Sequence, residues 1–174
     1  NLKAIAVRGS LRPAVADPKG VKRVASLGAT EFKANRGMEE LRELGTAATV
    51  MAQEFAGGLP TRNYASGTFE DAEAISGERL AETILVDRNT CYGCVVRCKR
   101  EVATDDKYQV KPELGGPEYE TLATFGSYCA VKDLNAVAKA NALCNDYGLD
   151  TISAGATIAW AMECFEDGIL TLED

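Results

Sequence analysis

Three cysteines fall within eight residues, Cys91-Tyr92-Gly93-Cys94-Val95-Val96-Arg97-Cys98. Thiolates at this spacing are ligand chemistry for iron–sulfur clusters and for zinc. One helical or near-helical turn is expected to bring them to the same side of the chain. Three ligands leave one position open. Zinc sites more often pair two Cys-x2-Cys units or add histidine, and the sequence contains no histidine. The spacing therefore favours a cluster whose fourth ligand lies elsewhere; three ordinary cysteines packed in a helix are the alternative. Arg88, Arg97, Lys99 and Arg100 surround the segment in an otherwise acidic chain. They would compensate an anionic cluster, or simply form a solvated basic face. Cys129, Cys144 and Cys164 stand alone at helical positions and read as buried core cysteines.

A second chemical feature lies near the end of the chain. One helix is expected to stop at Gly148 and another to begin after Asp150, leaving free N–H groups near Thr151 to Ala154 as a partial positive pole. Asp150 then either takes part in a ligand site or caps the last helix. Glu118, in Gly116-Pro117-Glu118, reads on its own as a helix start with a carboxylate favouring the dipole.

The elements that must position these groups are mostly helical. Asp17 is expected to cap a helix with Pro18 at its first position, ending near Gly28. Further helical stretches are expected over 38–44, over 46–55 before the Gly57-Gly58 pair, over 69–75 and over 78–84, with a loop from Leu59 to Gly67. Asp133 is expected to cap a helix over 134–147, with Leu134, Val137, Ala140, Cys144 and Tyr147 on one face. A final helix is expected over 152–167, closed by Gly168. The one strand expected is Leu2 to Val7, whose backbone would need partners from a preceding domain. The fold class is therefore mainly α: a multi-helix domain over 11–174, with residues 1–10 as the tail of a preceding β-rich domain.

Composition sets the limits. An apolar share of 46% supports a packed core. A net charge of −7 disfavours general nucleic-acid binding. No run approaches the roughly 20 apolar residues of a membrane span, and no secretory signal is present. Six cysteines in a core-rich chain fit reduced thiols in a cytoplasmic protein better than a disulfide framework.

The chain also resembles the aldehyde ferredoxin oxidoreductase family. The resemblance is carried, in family order, by Asn1 to Gly9, Leu59-Pro60-Thr61-Arg62-Asn63, the cysteine segment, Gly116-Pro117-Glu118-Tyr119-Glu120 and Leu143 to Ser153. It implies the central part of an enzyme that oxidises aldehydes to carboxylic acids, with two electrons leaving through a [4Fe–4S] cluster. Cys91, Cys94 and Cys98 would be cluster ligands, and the fourth would come from a third domain. A tungsten or molybdenum ion held by two pterins is implied beside the cluster. The family's pterin-contacting pattern Asp-x-x-Gly-Leu-Asp reads here Asn145-Asp146-Tyr147-Gly148-Leu149-Asp150. Asn145, which carries no charge, replaces its first Asp, Asp150 matches, and Thr151 follows at the helix start. Glu118 matches a glutamate near the metal, with proton handling or substrate orientation as its role, and Glu120 competes with it; burial in an apolar pocket would raise such a carboxylate's pKa. Arg62 and Asn63 are read as structural. A Glu-x-x-His iron site found in some members cannot be built without histidine. The implied partners are the remaining domains of the same chain, a small aldehyde, ferredoxin or another electron-transfer protein, and further copies in a homo-oligomer, with no nucleic acid and no membrane. Alternatives are a family relative with another substrate, such as an aryl-CoA reductase, a cluster-binding electron-transfer module without pterin, and a redox-inert helical interaction domain.

Overall fold

The computed structural model describes residues 4–173. Helices dominate, in the order α1 (Pro18–Ala34), α2 (Arg36–Leu44), α3 (Thr49–Ala56), α4 (Gly77–Thr83), the three-residue α5 (Tyr119–Thr121), α6 (Leu134–Tyr147) and α7 (Thr151–Glu166). The only sheet among the described residues is an antiparallel pair, β1 (Leu85–Asn89) and β2 (Lys99–Val102). The fold is mainly α.

The helix ends follow local chemistry. Asp17 accepts from the Gly20 N–H at 2.9 Å and opens α1, with Pro18 at its first position. Gly28 does not end α1, because good helix formers follow it; Asn35 ends it instead. Asn35 has extended backbone, and its side chain caps α2 by accepting from Met38 N at 3.1 Å. Asp133 caps α6 through Asn135 N and Ala136 N, and Gly148 closes it in the left-handed conformation at φ 63°. The stretch over 46–55 divides into a 3₁₀ turn, Gly45–Ala48, and α3. The stretch over 69–75 is only a 3₁₀ turn, Ala72–Ile75, and Ser76 caps α4 through Arg79 N.

Of the expected N-terminal strand, residues 2 and 3 lie outside the described residues, and 4–7 pair with no strand of this chain. The expectation placed that strand's partners in a preceding domain, and without a neighbour a strand has no ladder to complete.

The core gathers Val50, Leu59, Ile75, Leu80, Val102, Leu122 and Val137, each 0–1% exposed. Through it runs an irregular segment. α5 passes into a π turn, Leu122–Gly126, then a 3₁₀ turn, Ser127–Cys129, and ends at Ala130 with φ 53°. Ser127 Oγ donates to the Pro60 carbonyl at 2.6 Å, and the loop over 59–67 turns back on this segment through Arg62 N and Asn63 N to the Ser127 and Tyr128 carbonyls. Arg62 pairs with Glu70, and Asn63 Nδ2 donates to Glu163 at 2.5 Å. These are structural roles on the surface, as expected for both residues.

α7 lies against the π turn at Gly155. A Cβ there would sit 2.6 Å from Thr124 Cβ and Oγ1 and 2.8 Å from the Thr124 backbone carbon. Ala gains at most about 1 kcal/mol over Gly in helix propensity, whereas overpacking a close backbone contact costs about 1–3 kcal/mol. Gly155→Ala is therefore expected to lower stability, read as an earlier denaturant midpoint. An unchanged or later midpoint would mean that α7 has room to move away.

Candidate functional site

The cysteine segment is the nine-residue loop, 90–98, of the β1–β2 hairpin. It is not helical, contrary to expectation. Cys91 and Cys94 are joined by a tight turn in which Cys94 N donates to Cys91 O at 3.1 Å, with Gly93 left-handed at φ 71°. Arg97, at φ 59°, blocks any helical continuation. Cys91 and Cys94 are exposed and Cys98 is half-buried. Among the described residues, no three Cys, Asp or Glu side chains converge closely enough to hold a metal. The donor chemistry nevertheless fits an iron–sulfur cluster. Three thiols share one loop, two of them exposed and one half-buried, where a fourth ligand could complete the set on metal binding. Cys129, Cys144 and Cys164 are buried, as expected.

Behind the loop, β2 carries the site inward. Arg100 is 2% exposed, and its carbonyl accepts from Gly116 N at 2.8 Å. That bond draws Gly115 to Glu118 alongside the base of the cysteine loop. A Cβ at Gly116 would lie 2.8 Å from Arg100 Cβ and Val102 Cγ1, so glycine permits the approach. Glu118 is half-buried. Thr46, in the 3₁₀ turn after α2, donates its hydroxyl to Glu118 Oε2 and accepts from Tyr119 N at 2.9 Å. Burial first, then the Glu118 carboxylate, pushes the Cys98 thiol up. The pocket around Glu118 is thus polar, not apolar, and differs from the expected setting.

A cleft of about 460 Å³ brings Glu118, Glu120, Asn145, Asp150 and Thr151 together with Lys99 and Arg100. Every pterin or catalytic candidate from the sequence borders it. Asn145 Nδ2 donates to the Leu114 carbonyl at 2.8 Å, tying the end of α6 to the loop before Glu118. Asp150 Oδ2 accepts from Ser153 N at 2.7 Å, so Asp150 does cap α7. That bond pulls the Asp150 carboxyl below its usual range. Thr151 accepts from the Thr121 hydroxyl at 2.9 Å.

One wall residue had no sequence signal. Asn141 on α6 is 4% exposed and borders the cleft, and its Nδ2 has no partner among the described residues. A buried donor without an acceptor is costly. An acceptor on a group bound in the cleft would satisfy it. Thr46 was likewise missed, being 72 residues from Glu118 in sequence.

The Asp150 cap gives a prediction whose sign follows from its lowered pKa. Its contribution is present above the unfolded carboxyl's pKa and is lost as pH falls through the lower folded value. Asp150→Ala should accelerate amide exchange in the first turn of α7 at about pH 7, and the difference from the parent should shrink as pH falls below the ordinary carboxylate range. Equal exchange in both proteins at neutral pH would remove the cap from the account.

A family profile described as "Aldehyde ferredoxin oxidoreductase, domains 2 & 3" matches residues 23–174. The chain belongs to the aldehyde ferredoxin oxidoreductase family. It is 38% identical, over 98% of its length, to the tungsten-containing aldehyde ferredoxin oxidoreductase of Thermococcus kodakarensis. It is 37% identical over its full length to the protein of the same description from Pyrococcus abyssi. It is also 29% identical over its full length to the aliphatic sulfonate oxidoreductase, WOR-like subunit, of Pyrococcus furiosus. The chain spans 28% of the length of each of these relatives.

Proposed function

We propose that this chain is the central segment of a tungsten- or molybdenum-pterin oxidoreductase that converts an aldehyde to a carboxylic acid, with electrons leaving through a [4Fe–4S] cluster. The observation that carries the reading is the convergence of Glu118, Asn145, Asp150 and Thr151 on one cleft that is also lined by Arg100, whose guanidinium holds the Cys98 carbonyl. When bound, the metal–pterin group supplies the two-electron redox chemistry. The chain's own residues do the rest. Asp150 and the first turn of α7 present a carboxylate and backbone N–H groups to a pterin ring, Asn145 offers its amide oxygen, and Asn141 can donate. Glu118, oriented by Thr46, takes up a proton from the reacting centre. Cys91, Cys94 and Cys98 hold the cluster at the surface of this segment, where the fourth ligand closes it.

Surface chemistry supports further domains of the same chain as the immediate partners. α7 exposes Ile152, Ile158, Trp160, Met162 and Phe165 by 42–56%, and α1 exposes Val21, Val24 and Leu27 by 59–64%. Apolar helix faces of this extent are ordinarily covered. In this reading residues 1–10 are the tail of a preceding β-rich domain, and 11–174 belong to the helical second domain. A soluble cytoplasmic enzyme passing electrons to a ferredoxin-like acceptor is the setting proposed, with assembly into a homo-oligomer; no described helix is long and apolar enough to cross a membrane. A related enzyme with a different substrate is the second reading, supported by the 29% identity to the sulfonate oxidoreductase subunit.

Metal analysis of the full-length protein tests the core of the proposal. Iron near four atoms per chain, with tungsten or molybdenum near one, is the expected result. Iron without either heavy metal would leave only the electron-transfer module, and neither metal would sink both.

A further inference from the structure

Arg100 stands apart from the basic residues around the cysteine loop. Arg97 and Lys99 are exposed and Arg88 is half-buried, but Arg100 is 2% exposed. Its guanidinium donates to four backbone carbonyls. Nε reaches Cys98 O at 3.1 Å, and Nη2 reaches Arg97 O at 2.7 Å. Nη2 also reaches Arg42 O at 3.0 Å, and Nη1 reaches Glu43 O at 2.6 Å. Two acceptors belong to the ligand-bearing end of the cysteine loop, and two to the last turn of α2. One side chain therefore fastens the Cys98 backbone to a helix end. Glycine is required beside it: a Cβ at Gly45, which has φ 68°, would lie 2.7 Å from Cys98 O and 3.1 Å from Arg100 Nε. The clamp has no slack.

The charge is the second observation. The four partners are dipoles, and among the described residues no carboxylate lies within ion-pair distance of Arg100. Carbonyls fix a guanidinium in place without neutralising it. A buried cation held this way is balanced best by an anion nearby. A cluster with four thiolate ligands is itself anionic, and gains further negative charge on reduction.

We propose that Arg100 is a positioning residue for the metal centre of the cysteine loop, clamping the Cys98 backbone against α2 and raising the centre's reduction potential through its buried charge. This rests on the cluster reading above. A fixed positive charge next to Cys98 favours the more negative, reduced state, so its removal shifts the potential downward. Arg is suited to both tasks because it stays charged and presents its donors as a planar fork.

The test uses the full-length protein and two variants, Arg100→Lys and Arg100→Met, with iron content and a potentiometric titration followed by electron paramagnetic resonance. Lysine keeps the charge and loses the fork; methionine loses both. Both variants are expected to carry less iron than the parent. The clusters that remain are expected to keep the parent potential in Arg100→Lys and to titrate at a lower potential in Arg100→Met. A potential in Arg100→Met equal to that of the parent, or the same lowered value in both variants, overturns the charge role. Full iron content in both overturns the clamp. If Arg100→Met yields no folded protein, Arg100→Lys still decides, since a lowered potential there contradicts the proposal. A parent protein without a cluster signal would instead refute the functional reading on which the inference stands.

Discussion

Replacing Cys94 with alanine in the full-length protein is expected to abolish the iron–sulfur absorbance and the reduction of an external acceptor. The expectation is sharp because the Cys94 side chain contributes little to this fold. The thiol is exposed. The local turn is held by backbone groups, Cys94 N to Cys91 O at 3.1 Å and Thr90 Oγ1 to Cys94 O at 2.8 Å, which alanine retains. Substitution at such a surface position ordinarily changes stability by no more than about 0.5 kcal/mol. Loss of iron in a variant whose metal-free form melts with the metal-free parent would therefore report ligation and not unfolding. Retention of full iron content and full turnover would show that the spacing is accidental. Cys98→Ala is a less clean probe, since Cys98 is half-buried and its carbonyl is held by Arg100.

The sequence was most legible where a single residue decides a local event. Asp17, Asp133 and Asp150 cap helices because a short carboxylate satisfies free N–H groups, and Gly148 closes α6 because it takes φ 63° without strain. The hairpin was hidden. Its strands are five and four residues long and rich in charge, with Asp87, Arg88 and Asn89 facing Glu101, Arg100 and Lys99. Nine residues separate the strands, so no two-residue turn signal marks the pairing. The same charge density concealed Arg100, because burial is decided by α2 and Gly116, which approach from distant parts of the chain. Glu118 and Asp150 were found through their motifs, but not their company. Thr46 reaches Glu118 and Asn141 reaches the cleft through tertiary packing alone, and neither carries a local pattern.

Glu118→Gln is expected to lower turnover by roughly 10²-fold or more, in the range by which a positioned acid–base group contributes, while iron and tungsten content stay at the parent level. Glutamine is close in size and keeps an oxygen able to accept from the Thr46 hydroxyl, so the local packing should stand. What it loses is the ability to take up a proton. The pH–rate profile separates this from a binding role, since removing a proton acceptor also removes one limb of the profile. Thr46→Val gives the complementary experiment: the carboxylate remains, its orienting donor is gone, and a smaller fall in turnover with the limb retained is expected. Glu120 is the alternative, being exposed and bordering the same cleft. Glu118→Gln with parent turnover and Glu120→Gln without it would move the proton-handling role two residues along. Loss of tungsten from Glu118→Gln would mean instead that the Thr46–Glu118 bond shapes the cofactor cleft, because a group needed only for proton transfer leaves metal loading intact.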